Sequence, residues 1–446
     1  MTENPGMNHQ DTVSRSTLRR IELRLLPFLG LLYVVSFLDR VNISFAKLTM
    51  NADLGFGDAV YAMGAGIFFL GYFIFEIPSN LILAKVGARR WIARIMFTWG
   101  LLSAGTAFVS GATGFMVMRF LLGVAEAGFF PGIILYLTYW FPAAERARVM
   151  SLFLLAIPIS GLIGSPLSTE LLRLDGYLDL HGWQWMLLLE GLPAVALGFL
   201  CLLFLPDHPR DVAWLSTEEC NSLVRVLEKE RSQLEHTSYK SLREILTRPI
   251  TWLLCAIYFG IILGLYGLGF WLPTLISSLN LNVESSRIGW IAAIPYACGA
   301  AFMLWWGRRS DLAKERFLHF IASAVLGFAG FTAASMIDPP FQLVCLCAAA
   351  MGIYGCMPIF WTIPGMYLTG AGAAAGIALI NSVGNLAGYF GPQLVSWLAG
   401  GSRDFGFALA SLGLALLGSG LTLAAVRVLK YGPDWKPADS GKAAID

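Results

Sequence analysis

Five ionisable side chains stand out because they interrupt long apolar stretches of the chain. They are Asp39, Arg40, Glu76, Arg119 and Glu126. A charge at the centre of a bilayer costs at least about 2.5–3.5 kcal/mol on insertion scales, so ionisable residues in membrane-crossing helices are candidates for function. We therefore expect the chemistry of this protein to centre on these side chains.

Arg119 and Glu126 are separated by seven residues. On an α-helix seven residues turn through about 700°, which is two full turns less about 20°, so both side chains face the same side about 10 Å apart. Gly123, Ala127 and Gly128 lie on or beside that face and are small enough for another helix or a substrate to approach closely. This spacing predicts one charged wall of a polar cavity.

Asp39 and Arg40 are adjacent, so on a helix their side chains diverge by about 100°, although both can face a cavity within a bundle. A guanidinium offers a planar fork of donors that matches a carboxylate and stays charged at physiological pH. When a substrate carboxylate takes over Arg40 or Arg119, Asp39 or Glu126 loses its partner and should take up a proton. These residues predict proton-coupled transport of a small organic anion.

The apolar stretches are the elements that must position these side chains. Of the 446 residues, 57% are hydrophobic and 13% are charged, against about 25% charged in a typical soluble domain. Runs of about 20 apolar residues are long enough to cross roughly 30 Å of hydrocarbon as a helix. Residues 257–265 do not alternate in polarity as a barrel strand would. We expect an all-α membrane protein.

Twelve apolar runs predict twelve transmembrane helices in two bundles of six. The runs cover residues 25–46, 60–84, 91–110, 114–140, 149–172, 186–205, 252–277, 288–306, 317–337, 341–367, 372–398 and 405–429. The predicted organisation is an N-terminal segment (1–23), an N-terminal bundle (24–205), a linker with a short helical pattern at 217–230 (206–249), a C-terminal bundle (250–430) and a tail (431–446).

The distribution of Lys and Arg predicts the orientation, because cytoplasmic loops retain basic residues. With the N-terminus inside, inner segments hold 25 of these residues and outer segments hold 4. Residues 1–16 are polar and show no cleavable signal pattern, so the first span should be retained. We expect a multi-pass protein of the inner membrane with both termini and the linker in the cytoplasm.

Several classes of function are disfavoured by the residues present. The seven cysteines form no Cys-x-x-Cys pair and the net charge is only +2, so we expect no metal site and no nucleic-acid partner. No nucleophile–base pair or phosphate-binding loop suggests an enzyme, and no cofactor is expected. The expected partners are a small organic anion, a proton and the lipid bilayer, with the protein acting as a monomer.

Two inner loops resemble the Gly-x-x-x-Asp-x-x-Gly-x-Arg signature of the major facilitator superfamily. The first is residues 80–90, with Arg89 and Arg90, although Asn and Ala replace the usual Gly and Asp. The second contains Gly307, Asp311 and Arg316, with Lys at the second Gly. The resemblance implies gating loops that lock the inner ends of helices by charge pairing, here between Asp311 and Arg316.

Further motifs along the whole chain resemble the anion:cation symporter family of that superfamily. They are residues 37–43, Arg119 with Glu126, and residues 128–131, 360–364 and 380–388. The resemblance implies a twelve-helix carrier that moves organic anions, usually with protons in bacterial members. It also implies that Asp39 and Glu126 couple protons and that Arg40 binds the substrate.

The C-terminal half should contribute polar and aromatic groups to the site. Asn381 and Asn385 lie four apart on one helix face, near Ser382, and can bind hydroxyl or carboxylate oxygens. The side chains expected to line the cavity are Tyr72, Tyr258, Tyr266, Trp361 and Thr362. Interhelical hydrogen bonding, aromatic packing and structural salt bridges remain the alternative roles, and for Glu76 the alternative is a hydrogen bond at a kink.

Other functions also stay open. A proton-coupled antiporter of another substrate class and a non-transporting membrane sensor are the main alternatives. Residues 161–166 do not match the Gly-x-x-x-Gly-Pro pattern of drug antiporters, and a neutral-sugar uniporter would have little need for Arg40 and Arg119. The substrate could be a hydroxy acid such as tartrate, a sugar acid or an aromatic acid, and the coupling ion a proton or sodium.

Overall fold

A computed structural model describes residues 13–236, 246–279, 287–337, 339–367, 372–400 and 405–430. Across these residues the chain forms α-helices and short 3-10 turns, without a β-strand. The predicted all-α architecture is thereby confirmed. The predicted tail at 431–446 and most of the N-terminal segment lie outside the described residues.

The helices form twelve spans, several of which consist of two consecutive helices. They are span 1 (Arg15–Val41 and Ile43–Asp53), span 2 (Asp58–Val86), span 3 (Ala88–Gly105), span 4 (Ala112–Glu126 and Phe129–Thr138), span 5 (Ala143–Leu154 and Ala156–Leu171), span 6 (Gly182–Phe204), span 7 (Pro249–Ser278), span 8 (Ile288–Ala313), span 9 (Phe317–Ala334), span 10 (Phe341–Phe360 and Pro364–Tyr367), span 11 (Gly372–Asn385 and Ala387–Ala399) and span 12 (Gly406–Lys430).

Ten of the twelve spans are long and apolar enough to cross a membrane by length and composition alone. Span 3 falls short because Arg89, Arg90 and Arg94 lie within its 18 residues. Span 11 falls short because its glycines and polar residues, among them Asn381 and Asn385, lower its mean hydropathy.

Three helix breaks that the sequence did not predict lie directly beside candidate site residues. Span 1 is interrupted just after Arg40, span 4 just after Glu126 and span 11 just after Asn385. In span 4 the break requires a glycine, because Gly128 has a φ of +84° and a Cβ there would lie 2.3 Å from Ser79 Oγ of span 2. At the other two breaks the turn residues Asn42 and Leu386 keep helical dihedral angles, so only the break in span 4 departs from helical geometry.

The two six-helix halves meet mainly along three pairs of spans. Span 2 packs against span 11, span 5 against span 8, and the second helix of span 1 against span 7. Glycines allow the backbones to approach closely: a Cβ on Gly289 of span 8 would lie 2.0 Å from the Ser165 carbonyl oxygen of span 5. This contact lies toward the end of the molecule opposite the linker.

The described part of the linker contains the α-helix Thr217–His236, which is longer than the predicted 217–230 pattern. Glu219 accepts hydrogen bonds from Thr17 Oγ1 at 3.0 Å and from Arg20 Nη1 at 3.0 Å. Near its other end, Glu230 accepts from the Ala143 backbone N–H at 3.0 Å. The linker helix is therefore attached to the beginnings of spans 1 and 5, both in the N-terminal half.

Candidate functional site

Arg40 and Glu126 form a buried ion pair at the contact between the two halves. Arg40 Nη2 donates to Glu126 Oε1, and Ser36 Oγ donates to the same oxygen at 2.8 Å. Arg40 Nη1 donates to Tyr266 Oη of span 7 at 2.7 Å. Since Arg40 is 5% and Glu126 1% exposed, the pair connects both halves in surroundings nearly free of solvent.

Aromatic rings surround the Arg40 guanidinium. Its carbon lies 5.2 Å from the ring centre of Phe37, 5.3 Å from that of Phe68 and 5.5 Å from that of Tyr72. The negative face of an aromatic ring attracts a cation, and more strongly where water is excluded. Phe37 in turn stacks on Tyr266, with 6.1 Å between ring centres. The rings thus hold the guanidinium in place, and Glu126 is the carboxylate that balances its charge.

A small cavity lies beside this cluster, between the halves. It is lined by side chains from both halves, among them Phe37, Ser160, Tyr266, Tyr296 and Tyr354. Its volume of about 10 Å³ corresponds to roughly one water molecule. Because the neighbouring site residues are also buried, the centre of the protein is occluded, and a substrate could enter only after the halves move apart.

Asp39 faces away from that cavity, into the interior of the N-terminal half. Trp99 Nε1 and Ser103 Oγ of span 3 both donate to its carboxylate, and Asn42 Nδ2 donates to Oδ1 at 3.0 Å. The predicted divergence from Arg40 therefore separates the two side chains into different environments. The expectation that both could face one cavity does not describe this arrangement.

Arg119 also lies within the N-terminal half, between spans 2 and 4. Its Nε donates to the Gly64 carbonyl oxygen at 3.3 Å, and its guanidinium carbon lies 5.1 Å from the ring centre of Phe68. Its Nη2 has no hydrogen-bond partner among the residues that the structure describes. Arg119 and Glu126 are both buried, but Glu126 pairs with Arg40 and Arg119 contacts span 2.

A second polar bridge between the halves joins Glu76 of span 2 to span 11. Asn381 Nδ2 donates to Glu76 Oε1 and Ser382 Oγ donates to Oε2, each at 2.7 Å. Asn381 and Glu76 are both 1% exposed, and Asn385 is also buried beside the break in span 11. Glu76 thus binds two groups of the C-terminal half, a role that its position before Pro78 did not suggest.

Two predicted aromatic residues of the C-terminal half lie together near span 4. Tyr258 stacks on Phe360 with 5.0 Å between ring centres, and Trp361 meets Tyr258 edge-on at 4.9 Å. Trp361 is also 6.3 Å from the ring centre of Phe130 in span 4, so it contacts both halves. Thr362 Oγ1 donates to a backbone carbonyl three residues earlier, at 2.7 Å, which satisfies the local helix end.

The predicted gating loops differ in how much pairing they contain. Arg316 Nη1 lies 2.5 Å from Asp311 Oδ1, while a Cβ on Gly307 would meet nothing within 4 Å. In the first loop, the Arg89 backbone N–H donates to Asp207 Oδ1 at 2.8 Å and its guanidinium donates to a carbonyl of span 6. Arg90 is exposed. These contacts connect neighbouring helix ends within each half.

One buried acid was missed by the sequence reasoning. Glu190 of span 6 is 3% exposed, and its Oε1 accepts from Ser168 Oγ of span 5 at 2.7 Å. Its Oε2 has no hydrogen-bond partner within the described part of the chain. The signal was available, because Glu190 interrupts the apolar run 186–205 just as Glu76 interrupts 60–84.

A family model and the similar proteins of known name agree on one family of membrane transporters. A model of the Major Facilitator Superfamily matches residues 29–392. A protein of Agrobacterium vitis named for tartrate transport is 46% identical over 96% of this chain and 97% of its own length. The quinolone resistance transporter of Acinetobacter baumannii is 42% identical over 90% of this chain and 93% of its own length.

The fold has counterparts among solved structures. The xylose transporter of E. coli, in a partially occluded inward-open conformation, superposes with a TM-score of 0.71 and 15% sequence identity. The superposition covers 92% of this chain and 99% of the transporter. It agrees with the predicted arrangement of twelve helices. The chain belongs to the Major Facilitator Superfamily and is a multi-pass membrane transporter rather than an enzyme.

Proposed function

We propose that this protein is a proton-coupled symporter that imports a small organic carboxylate through the inner membrane by alternating access. The observation that carries the proposal is the Arg40–Glu126 pair, which is buried where the halves meet and touches Tyr266. An arginine at this place can hold a substrate carboxylate by two parallel hydrogen bonds. The Agrobacterium vitis relative named for tartrate transport supports an organic-acid substrate.

The coupling step follows from the fact that Glu126 is the one carboxylate paired with Arg40 among the described residues. A substrate carboxylate that binds the guanidinium replaces Glu126, which is then left buried with the Ser36 hydroxyl as its remaining donor. A buried carboxylate without a cation is strongly disfavoured relative to its protonated form. Glu126 therefore takes up a proton as the anion arrives, and for a substrate with one carboxylate the loaded site keeps the net charge of the empty one.

The C-terminal half supplies the second point of attachment. Asn381 and Ser382 now donate to Glu76, and a hydroxyl or second carboxylate of the substrate would compete with Glu76 for these donors. Trp361 and Tyr258 provide the apolar wall between the two ends. This combination of an arginine, an amide and a hydroxyl suits a hydroxylated acid, such as tartrate or a sugar acid, better than an acid with a single polar end.

A second candidate is proton-coupled antiport of another substrate class. It is favoured by the Acinetobacter baumannii relative, whose name refers to quinolone resistance. The aromatic groups around Arg40 and at Trp361 would also accommodate an aromatic acid. Symport and antiport differ in the direction in which a proton gradient moves the substrate, so one measurement separates them.

The test uses the purified protein in liposomes with an inward proton gradient. Labelled tartrate, a labelled sugar acid and a labelled hydroxybenzoate are offered to wild type, Arg40→Ala and Glu126→Gln, with Arg173→Ala as a control on the exposed surface. We expect gradient-driven uptake by wild type and the control, none by Arg40→Ala, and gradient-independent exchange by Glu126→Gln. Gradient-driven efflux from loaded liposomes would establish antiport instead, and unchanged accumulation in both site variants would refute the assigned roles.

A further inference from the structure

We propose that Glu190 is an additional proton-binding residue, placed between Asp39 and the outer face, so that two carboxyl groups inside the N-terminal half take part in proton movement. The proposal deepens the proposed function and rests on it for the coupling to transport. It is carried by the burial of Glu190, by its incomplete hydrogen bonding and by its position relative to Asp39.

The surroundings of Glu190 fit a carboxyl group that holds a proton. Ser168 Oγ donates to Oε1 at 2.7 Å, whereas Oε2 is buried without a hydrogen-bond partner among described residues. An ionised carboxylate needs several donors when water is excluded, and an empty oxygen makes that form costly. A protonated carboxyl group needs fewer donors, so this packing accommodates it more easily.

Glu190 and Asp39 share one pocket formed by spans 1, 3, 5 and 6. Gly191, the next residue of span 6, faces span 3, because a Cβ there would lie 3.0 Å from Ser103 Oγ. That same hydroxyl donates to Asp39. Asn42 Nδ2 donates to Asp39 Oδ1 at 3.0 Å and lies near Glu190, but not within hydrogen-bond distance of its Oε2. Asn42 thus lies between the two acids, while Ser103 lies between Asp39 and Gly191.

The other groups around this pocket are mainly neutral. A bound proton is therefore the simplest way to reduce the negative charge of the two carboxyl groups. Span 3 contributes Trp99 and Ser103 and span 5 contributes Ser168, all neutral, while Asp39 of span 1 interacts with Glu190 as a like charge. Arg119 of span 4 interacts electrostatically with Asp39. Two neighbouring carboxylates facing mainly neutral groups repel one another, so one of them is stabilised by protonation.

The helix ends place Glu190 on the outer side of Asp39. Spans 1 and 6 are level at the end away from the linker, where Trp183 Nε1 donates to Asp53 Oδ2 at 2.9 Å. From this end Glu190 is eight residues along span 6, about 12 Å, and Asp39 is fourteen residues along span 1, about 21 Å. With the predicted orientation, a proton from outside would reach Glu190 before Asp39.

The test compares Glu190→Gln with wild type in proteoliposomes and by infrared spectroscopy. Glutamine keeps the shape of the protonated side chain but cannot exchange a proton. With labelled tartrate, or the acid that wild type accumulates, we expect Glu190→Gln to lose gradient-driven accumulation and to keep gradient-independent counterflow. We also expect the wild-type spectrum to contain a band of a buried protonated carboxyl group that titrates and is absent from the variant.

Two controls separate this proposal from a structural role and from failure of the proposed function. Glu170→Gln removes an exposed carboxylate at the end of span 5 and should accumulate substrate like wild type. Ser168→Ala should shift the infrared band and test the site even if Glu190→Gln does not fold. Normal accumulation by Glu190→Gln, or a spectrum identical to wild type, would overturn the proposal. If wild type itself shows no proton-driven uptake, the proposed function fails and the proton-coupling inference with it, whereas the band still tests protonation of Glu190.

Discussion

Asp39 and Arg40 are neighbours in the chain but belong to two different regions of the molecule. Arg40 lies where the halves meet and contacts Glu126 of one half and Tyr266 of the other. Asp39 lies inside the N-terminal half, enclosed by Trp99 and Ser103. Contacts between the halves must change during alternating access, whereas contacts within one half can persist. We propose that the interface selects the substrate and exchanges a proton at Glu126, whereas the interior acids Asp39 and Glu190 hold further protons.

The strongest test of the difference between interface and interior is to replace the arginine of each region by lysine. Arg40→Lys keeps a charge but loses the planar fork, and we expect substrate affinity to fall about 30-fold or more, since disrupting a buried charge pair costs about 2–5 kcal/mol. Arg119→Lys, in the interior, should leave affinity close to wild type. Binding measured by substrate-induced tryptophan fluorescence checks both. Equal losses of affinity would show that Arg119 also contacts the substrate.

The acids of the two regions should differ in how they affect substrate binding. Asp39→Asn and Glu126→Gln are both expected to abolish accumulation driven by a proton gradient. Only Glu126→Gln should also change the affinity, strengthening it by about tenfold, because the substrate no longer competes with an ionised carboxylate for Arg40. The substrate affinity of each variant is measured by counterflow at graded substrate concentrations. A changed affinity in Asp39→Asn would place Asp39 in the substrate site.

Removing one hydrogen-bond donor or acceptor from each region should give a smaller effect. Tyr266→Phe removes the hydroxyl that accepts from Arg40, and Trp99→Phe removes the N–H that donates to Asp39. A hydrogen bond to a charged group contributes about 1.5–3 kcal/mol. We expect Tyr266→Phe to alter substrate affinity about tenfold and Trp99→Phe to alter only the pH dependence of uptake. The reverse pattern would contradict the division between interface and interior.

The smallest expected effect concerns the polar bridge between Glu76 and span 11. Glu76→Gln keeps the size of the side chain and can still accept from one of its two donors, Asn381 and Ser382. We expect a loss of about 1–3 kcal/mol in the occluded arrangement, seen as faster exchange and a lower unfolding temperature in detergent. Asn381→Ala provides the matched change on the other half. If neither variant alters exchange, the bridge does not hold the halves together.

The overall architecture could be predicted because a segment that crosses lipid must satisfy its backbone hydrogen bonds within its own helix. Such helices need long apolar runs, which are visible in the sequence. The break beside Glu126 could not be predicted with certainty of place, since Gly128 and Pro131 beside it also suit an unbroken membrane helix. It coincides with the close approach of span 2, where Ser79 excludes any side chain at Gly128. That contact depends on packing between helices.

The candidate site was predictable in its residue types but not in its pairing. Helical spacing indicated that Asp39 and Arg40 diverge, yet nothing in the spacing identifies which of them meets the other half. The bond between Glu76 and Asn381 joins residues 305 positions apart, which a local pattern cannot reveal. The rule for buried charge applies to Glu190 as well, but this residue lies in none of the motifs that indicated the site.

Because the linker helix is attached to the N-terminal half, a label on this helix can report the movement of that half relative to the other. Glu219 and Glu230 attach the helix Thr217–His236 to spans 1 and 5. A fluorophore on exposed Asn221 of this helix would therefore move together with the N-terminal half. A second fluorophore on exposed Arg309, at the end of span 8 on the linker side, would travel with the other half. Energy transfer between the two would follow each transport cycle in single molecules.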